Sequence, residues 1–419
     1  MLSPSNRPNL KTSACRFCGT PLTRTFVNLG AAPASNSYLR AADLHRSEMH
    51  HPLHAYVCGS CYLVQLEEFE SPEQIFSDYA YFSSYSESWL RHAATYCASM
   101  SMRFGLGRNS HVIEIASNDG YLLKNFVRQG MRVLGVEPAG NVAKAAIDAG
   151  VPTMISFFGR ETARRIVGDG VKADLMVANN VMAHVPNLND FVGGFKILLA
   201  AEGVVTVEFP HLLNLMRENQ FDTIYHEHFS YFSFLTAQSL FAAHGLRIFD
   251  VEKLTTHGGS LRIYGCHTEA RHQTTSHVED LLAEERDSGM DDIAAYTGFE
   301  KKVHAVKWGL LSFLLRTQEQ RKTVAAFGAA AKGNTLLNYC GVGPEFIEYV
   351  VDSNPHKQGL YMPGSRIPIY APEHIRETQP DYVLILPWNL ADEIVNAHNY
   401  VGSWGGRFVV PIPEVRIFE

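Results

Sequence analysis

Strands and helices alternate along the middle of the chain, and this alternation restricts the fold more than any other feature. The apolar runs in HVIEIASNDGYLLKNF and MRVLGVEPAGNVAKAAIDAG each pass through a polar turn into a helical pattern, and ADLMVANNVMAHV and GVVTVEFPHL add two more strands. Strands that alternate with helices pair in parallel, because each crossover helix returns the chain to the same edge of the sheet. The sequence therefore predicts an α/β domain with helices on both faces of a parallel sheet.

A second strand–helix series follows a charged, helical stretch at residues 270–320. It consists of TVAAFGAAAKGNTLLNYCG, IEYVVDSNPHKQG and PDYVLILPWNL. A chain of 419 residues is too long for one average domain. We therefore predict three parts, which are a cysteine module at 1–75, a central α/β domain at 76–268, and a helical linker with a smaller Rossmann-like α/β domain at 269–419.

The first part contains two Cys-x-x-Cys pairs separated by 39 residues. These are Cys15 with Cys18 and Cys58 with Cys61. Each pair closes a tight turn, so the four thiolates can meet at one tetrahedral zinc ion, and four thiolates leave no open position for catalysis. The sequence predicts a structural zinc site, with a redox pair or unconnected thiols as the alternatives. The other three cysteines are expected to be small core residues.

Composition excludes several functional classes. The net charge of −7 and the pI near 6.3 argue against a nucleic-acid-binding surface. The chain has no run of eighteen apolar residues, and MLSPSNRPNLKTSACRF lacks the apolar stretch of a signal peptide. We expect a cytoplasmic monomer that does not bind membranes.

The central domain has three features of a nucleoside-binding site at strand ends. They are EIASNDG, a second strand ending in GVEP, and NNVMAHV. Together they resemble class I S-adenosylmethionine methyltransferases, although Ala116 replaces the usual first glycine. The resemblance implies that the first loop binds the methionine end, that a carboxylate binds the ribose, and that a phenylalanine flanks the adenine. The residues implied are Glu114, Ala116, Asn118, Gly120, Glu137, Phe158 and Asn180.

Other interpretations of these features stay open. The glycine-containing loop is also compatible with an ordinary tight turn or with an NAD site. Phe157 and Phe158 are equally compatible with core positions.

The resemblance extends over nearly the whole chain. The motifs NLGAAPASNSYL, EIASNDGYLL, GVEPAGN, YHEHFSYFS, HGGSLRIY, FGAAAKGNTLLNYCG and VVDSNPHKQGLYMPG occur in this order. They resemble the sugar C-methyltransferases of antibiotic deoxysugar pathways, above all those of the tetronitrose type. This implies methyl transfer to C-3′ of a dTDP-3-amino-4-keto-2,3,6-trideoxyhexose. The alternatives are a 3-hydroxy-4-keto sugar of the mycarose type, or a binding protein whose methyltransferase-like domain is inactive.

The stretch YHEHFSYFS concentrates titratable groups as this chemistry requires. Carbon has no lone pair, so C-3′ must lose its proton beside the C-4′ ketone before it attacks the methyl group. A histidine suits the base, and donors must stabilise the enolate oxygen. We assign His228 as the base, with His226 as the alternative, and Glu227 and Tyr225 as groups that orient it, bind substrate or relay the proton. His184 and Tyr79 are further catalytic candidates, their alternatives being core positions.

The second α/β domain is expected to hold the nucleotide. FGAAAKGN opens a helix whose N-terminus can bind a diphosphate, and VVDSNPHKQG ends the next strand. Trp388 can stack on a base or fill core, and the domain can also serve only for packing. The substrate-binding candidates, including two histidines outside this domain, are His226, His257, Lys332, Asn334, Asp352 and Lys357.

Overall fold

The computed structural model describes residues 13–72, 84 and 87–418, and Tyr79 lies outside the described residues. In the described part, the strands form three sheets of four, seven and six strands. The strands are β1 (Arg24–Ala32), β2 (His51–Val57), β3 (Val64–Leu66), β4 (His111–Ile115), β5 (Arg132–Glu137), β6 (Thr153–Ile155), β7 (Ala173–Asn179), β8 (Leu199–Pro210), β9 (Ser230–Tyr231), β10 (Leu246–Leu254), β11 (Ser260–His267), β12 (Val324–Phe327), β13 (Val350–Val351), β14 (Ile369–Tyr370), β15 (Tyr382–Ile385), β16 (Arg407–Val410) and β17 (Arg416–Ile417).

The α-helices surround the two larger sheets. They are α1 (Glu87–Phe104), α2 (Leu123–Arg128), α3 (Gly140–Asp148), α4 (Arg160–Gly168), α5 (Leu188–Leu198), α6 (Leu212–Arg217), α7 (Phe234–Ala243), α8 (Ser276–Asp287), α9 (Ile293–Thr297), α10 (Phe299–Glu319), α11 (Ala331–Cys340), α12 (His374–Thr378) and α13 (Ala391–Ala397). None of the helices in the described ranges has the length and apolar character needed to cross a membrane.

The central sheet has the order β10-β11-β8-β7-β4-β5-β6. Strands β4 to β8 pair in parallel, and β11 joins β8 and β10 antiparallel. The carboxyl ends of β4, β5 and β7 therefore meet at one edge, where ligands bind in open α/β sheets. The predicted α/β class with a class I methyltransferase-like central domain is confirmed.

The smallest sheet combines two distant parts of the chain. Its antiparallel order is β1-β2-β3-β9, and β9 belongs to the YHEHFSYFS stretch. This pairing brings YHEHFSYFS onto the cysteine module, which the sequence alone did not indicate.

The cysteine module also shares a hydrophobic core with the C-terminal domain. Phe26 of β1 stacks on Phe299 of α10 with ring centroids 4.6 Å apart, and both are buried. Val324 of β12 and Leu337 of α11 belong to the same cluster of buried side chains. The first and last parts of the chain are therefore held together by apolar burial.

The C-terminal sheet has the order β14-β13-β12-β15-β16-β17 and is parallel except at β17. The predicted second α/β domain is confirmed. Its topological switch point lies between β12 and β15. Helix α11, which follows β12, contacts the central domain, where Thr335 donates to the Ile224 carbonyl at 3.1 Å.

Candidate active site

The four predicted zinc ligands form a compact cluster. The Sγ atoms of Cys15, Cys18, Cys58 and Cys61 all lie within 4.8 Å of one another. Cys15 Sγ is 3.6 Å from Cys61 Sγ, and Cys18 Sγ is 3.4 Å from Cys58 Sγ. Four thiolates at zinc–sulfur distances of about 2.3 Å lie about 3.8 Å apart, so the cluster fits a tetrahedral zinc ion. The other three cysteines, Cys97, Cys266 and Cys340, are buried in the core.

The loop after β4 has the sharp turns expected of a cofactor loop. Ala116 and Asn118 have φ angles of 55° and 50°, and Gly120 has a φ of 74°. A Cβ on Gly120 would lie 2.9 Å from the Val151 side chain, so packing as well as conformation requires glycine there. Ala116 adopts the left-handed turn that the usual glycine provides, and the replacement leaves the loop geometry intact.

Glu137, at the end of β5, links two loops of this site. Its Oε2 accepts a hydrogen bond from the Asn118 backbone N–H, and its Oε1 accepts one from the Ala139 N–H, both at 2.9 Å. Burial raises its pKa, and the two N–H donors oppose that shift. Glu114 lies behind it, and burial together with the charge of Glu137 raises the pKa of Glu114 well above its usual range.

Several buried polar atoms at this edge lack protein partners among the described residues. Asn179 and Asn180 each have both amide atoms unpaired, and Asn180 has a φ of 54°. Oδ1 of Asp119 is also unpaired, while its Oδ2 accepts from the Ser84 N–H at 3.1 Å. Buried polar groups are almost always satisfied, so this edge is suited to a polar ligand such as the amino-acid end of S-adenosylmethionine.

The two phenylalanines proposed for the adenine have different surroundings. Phe158 packs against Phe191 and Phe195 with ring centroids 5.6 and 5.7 Å away. Phe157 is 40% exposed. Phe158 is thus half-buried against the core of the central domain, and its place beside the adenine stays a prediction.

The YHEH segment is a tight turn, neither helical nor extended. The His228 N–H donates to the Tyr225 carbonyl at 2.9 Å, and the two rings lie 4.1 Å apart. His228 Nδ1 donates to the Thr223 carbonyl at 3.0 Å. Nε2 is consequently the acceptor nitrogen of the imidazole, and the Tyr225 hydroxyl lies 3.0 Å from it.

His184 packs against this pair. Its ring centroid is 4.6 Å from that of His228, and its Nδ1 donates to the Glu227 carbonyl at 2.8 Å. Burial lowers the pKa of His184 to about 4. Burial, together with the neighbouring His184, holds the pKa of His228 well below its usual value. Both imidazoles are therefore neutral at pH 7.

The turn sends His226 and Glu227 towards the cysteine module. His226 Nε2 donates to the His51 carbonyl of β2 at 3.2 Å, and burial lowers the pKa of His226. Oε1 of Glu227 accepts a hydrogen bond from Nδ2 of Asn36 at 2.6 Å. Burial raises the pKa of Glu227, and the Asn36 amide opposes that shift. His226 and His228 thus lie on different sides of the turn, and His228 is the one beside His184.

The C-terminal domain adds a buried lysine and an indole to the same region. Lys332, at the start of α11, donates to Asn389 Oδ1 at 2.6 Å, and its Nζ lies 4.6 Å from the Trp388 ring. Burial lowers the Lys332 pKa, and the nearby Asp222 carboxyl opposes that shift. Trp388 Nε1 donates to Asp222 Oδ2 at 2.8 Å.

Trp388 also packs against the turn that carries His257. A Cβ on Gly258 would lie 2.5 Å from the indole, so the glycine allows the close approach. His257 itself has a φ of 56°, and its ring is 5.7 Å from that of Trp89. The position of the HGGS turn therefore depends on the C-terminal domain.

Asp352, Lys357 and Asn334 surround the turn after β12. Asp352 Oδ2 accepts from the Ala329 N–H at 2.8 Å, and Lys357 Nζ donates to the Ala329 carbonyl at 2.8 Å. Asn334 is buried, and its Nδ2 has no partner among the described residues. Asp352 and Lys357 thus support the turn from which Lys332 projects.

Sequence reasoning missed three residues that contact this site. They are Asn36, Tyr38 and Asp222. Tyr38 donates to the Ala329 carbonyl at 2.5 Å, and Asp222 is fully buried. Asn36 and Tyr38 both lie in NLGAAPASNSYL, which carried part of the resemblance, and Asp222 lies three residues before YHEHFSYFS.

Three family models match consecutive parts of the chain. They are described as "Putative zinc binding domain" at residues 15–76, "Methyltransferase domain" at 89–251 and "C-methyltransferase C-terminal domain" at 255–413. The chain is 38% identical over 405 residues to C-methyltransferase NovU of Streptomyces niveus, covering 97% of this chain and 96% of that protein.

Solved structures match less than half of the chain. Magnesium protoporphyrin IX methyltransferase of Synechocystis PCC 6803, with bound SAM, is 12% identical with a TM-score of 0.33, over 42% of this chain and 79% of that one. The PH0226 protein of Pyrococcus horikoshii OT3 is 13% identical with a TM-score of 0.35, over 48% of this chain and 99% of that one.

Proposed function

The chain belongs to the family of C-methyltransferases, and from this premise we propose that it moves a methyl group from S-adenosylmethionine to C-3′ of a 4-keto deoxysugar nucleotide. The proposed substrate is a dTDP-3-amino-4-keto-2,3,6-trideoxyhexose. One observation carries the proposal, which is the contact of the Tyr225 hydroxyl with the acceptor nitrogen of a buried, neutral His228. A neutral imidazole hydrogen-bonded to a phenol suits removal of a weakly acidic C–H proton.

The proton transfer uses the hydrogen bonds of the YHEH turn. The Tyr225 oxygen takes the C-3′ proton while its own proton passes to Nε2 of His228. The electron pair of the C–H bond forms a C-3′–C-4′ double bond, and negative charge collects on the C-4′ oxygen. The Thr223 carbonyl fixes the imidazole by accepting from Nδ1, which keeps Nε2 directed at Tyr225.

Bound S-adenosylmethionine would supply an electrophilic methyl carbon, to which C-3′ forms its new bond as the C-4′ ketone is restored and the C–S electron pair leaves with sulfur. Glu137 holds the ribose, and the loop from Glu114 to Gly120 together with Asn180 holds the methionine end. His184 lies between that edge and the YHEH turn, and Tyr79 is proposed to close over the site. Burial of Glu114, Glu137 and Glu227 helps to exclude water while the enolate exists.

The remaining substrate contacts are proposed for the C-terminal domain and for two histidines of the central domain. His226, His257, Lys332, Asn334, Asp352 and Lys357 are assigned to the nucleotide sugar, with the two lysines supplying positive charge for the diphosphate. The four cysteines of the module hold a structural zinc ion. The cytoplasmic location and the monomeric state stay predictions.

Titration calorimetry and a turnover assay test this function. We expect S-adenosylhomocysteine to bind at one site per chain, and the 3-amino sugar nucleotide to be methylated faster than its 3-hydroxy analogue. Absence of S-adenosylhomocysteine binding would contradict an enzymatic role. Faster methylation of the 3-hydroxy sugar would leave the reaction class in place and change the substrate.

A further inference from the structure

The segment between the two cysteine pairs extends across the chain to the C-terminal domain. Leu39 and Tyr361 exchange backbone hydrogen bonds at 3.0 and 2.9 Å. Glu48 accepts from the Gly364 N–H at 2.8 Å and from Arg366 Nε at 3.2 Å. A zinc-binding turn needs none of these contacts, because the cysteine pairs close over their ion without the intervening residues.

Just before these anchors, the same segment contacts the YHEH turn. Asn36 donates to Oε1 of Glu227 at 2.6 Å, and Tyr38, two residues later, donates to the Ala329 carbonyl. Asn36 is itself exposed, whereas Glu227 is 7% exposed. A surface amide thus covers a buried carboxylate on one side of the proposed pocket.

Glu227 occupies a central place in the turn. Its backbone carbonyl accepts from His184 Nδ1, and the residues on either side are His226 and His228. A displacement of its side chain is therefore expected to move the backbone that orients both imidazoles. Burial disfavours the carboxylate form of Glu227, and the Asn36 amide is the hydrogen-bond donor that favours it.

We propose that Asn36 of the zinc-binding module is a positioning residue for methyl transfer, because its side-chain amide holds the Glu227 carboxyl group in place beside His184 and His228. The inference rests on the proposed function, because the role of Glu227 is to orient the base or to bind substrate there. The module then has a second task beyond folding, since it completes the wall of the pocket.

The chain offers a matched pair of variants in one exposed turn. Asn36→Ala removes the donor to Glu227, and Ser37→Ala removes a hydroxyl that donates to the Ala34 carbonyl at 2.7 Å. We expect Asn36→Ala to lower kcat/KM about tenfold, and Ser37→Ala to change it less than twofold. Affinity for S-adenosylhomocysteine should stay within twofold of wild type in both variants, because neither substitution changes the loops after β4, β5 and β7, where the cofactor is proposed to bind.

The pH dependence of kcat/KM distinguishes a positioning role of Asn36 from a general loss of folded protein in the variants. Loss of the Asn36 amide raises the pKa of Glu227 further, so the acidic limb of kcat/KM should move to higher pH in Asn36→Ala. Asn36→Asp places a second carboxyl group beside Glu227 and should move the limb further in the same direction. An acidic limb unchanged in both variants would overturn the proposal.

A double-mutant cycle tests whether Asn36 acts through Glu227. In a Glu227→Gln background, Asn36→Ala should lower kcat/KM less than twofold further. A full tenfold loss in that background would show that Asn36 acts independently of Glu227 and would overturn the proposal.

A carboxyl titration distinguishes failure of this inference from failure of the proposed function. The Glu227 resonance, assigned by its absence in Glu227→Gln, should titrate at higher pH in Asn36→Ala than in wild type. This readout needs no turnover. An upward shift supports the Asn36–Glu227 coupling even if no sugar is methylated, and an unchanged titration overturns it even in an active enzyme.

Discussion

The Tyr225 hydroxyl lies 3.0 Å from Nε2 of His228, and the Thr223 carbonyl occupies the other ring nitrogen of that histidine. A four-residue β-turn produces this pairing, because the His228 N–H donates to the Tyr225 carbonyl. The phenol and the imidazole therefore form one acid–base unit, and both belong to a segment that joins the zinc-binding module to the central domain.

Removal of either member of this unit should stop methyl transfer without affecting the donor. His228→Asn should lower kcat by about two orders of magnitude or more, because it removes the Nε2 acceptor that lies 3.0 Å from the Tyr225 hydroxyl. Tyr225→Phe should lower kcat about tenfold or more. His304→Asn serves as the control, since His304 is exposed on α10. Steady-state kinetics and S-adenosylhomocysteine titration measure both quantities, and near-normal turnover of His228→Asn would eliminate it as the base.

Buried neutral histidines should make the fold sensitive to acid. His184 has a pKa of about 4 in the folded protein and about 6.5 when unfolded, so the unfolded chain binds more protons between these values. The free energy of unfolding is therefore highest, as far as His184 determines it, above pH 6.5, and it falls as the pH decreases towards 4. His184→Asn, which keeps a donor for the Glu227 carbonyl, should reduce the loss of unfolding free energy between pH 7.5 and 5 by about 2 kcal/mol.

Urea unfolding at the two pH values measures this effect. Equal losses in wild type and His184→Asn would show that His184 is not held neutral by the fold.

The cysteine cluster should contain one zinc ion per chain. Cys18 is the exposed ligand, so Cys18→Ser changes the metal site with little effect on packing. We expect the variant to lose most of its zinc and to unfold at a lower temperature, because zinc binding contributes directly to folding. Cys97→Ala, in the core of the central domain, is the control that should keep its zinc. Metal analysis that finds zinc bound equally well by Cys18→Ser would contradict the four-thiolate site.

The contact of Trp388 with Asp222 should matter for the sugar and not for the methyl donor. Burial raises the pKa of Asp222 to about 6, and the indole N–H opposes that shift. Trp388→Phe removes this donor and part of the surface against Gly258, so the HGGS turn loses support. We expect KM for the sugar nucleotide to rise about five- to tenfold with S-adenosylhomocysteine affinity unchanged.

Trp308→Phe is the matched control, because Trp308 is 62% exposed on α10. If both tryptophan variants raise KM equally, the effect does not come from the HGGS turn.

Local patterns were sufficient to predict the two α/β domains and the group of polar loops at one edge of the central sheet. The polar residues after β4, β5 and β7 follow apolar runs directly, and parallel pairing then places Ala116, Glu137 and Asn180 at one edge. The cysteine spacing similarly predicted the cluster. These features depend on residues within one strand–turn–helix unit, so the sequence records them directly.

The contacts around the YHEH turn were harder to predict, because they join residues that are far apart in the sequence. Asn36 is 191 residues from Glu227, and Asp222 is 166 residues from Trp388. Neither pair follows a periodic pattern. The YHEH segment is neither a helix nor a strand, which are the two conformations that a periodic sequence pattern can indicate. Its turn is held by the pairing of β9 with β3 and by the hydrogen bond of His228 to the Thr223 carbonyl.

Carbon-13 NMR of the reaction product tests the central claim most directly. The enzyme is incubated with S-adenosylmethionine labelled at the methyl carbon and with dTDP-3-amino-4-keto-2,3,6-trideoxyhexose. We predict a labelled methyl group on a quaternary C-3′, with loss of the C-3′ proton, in wild type and in Ser37→Ala, and at least a hundredfold less product in His228→Asn. Label on a nitrogen or an oxygen of the sugar, or a product that keeps its C-3′ proton, would contradict C-methylation through an enolate.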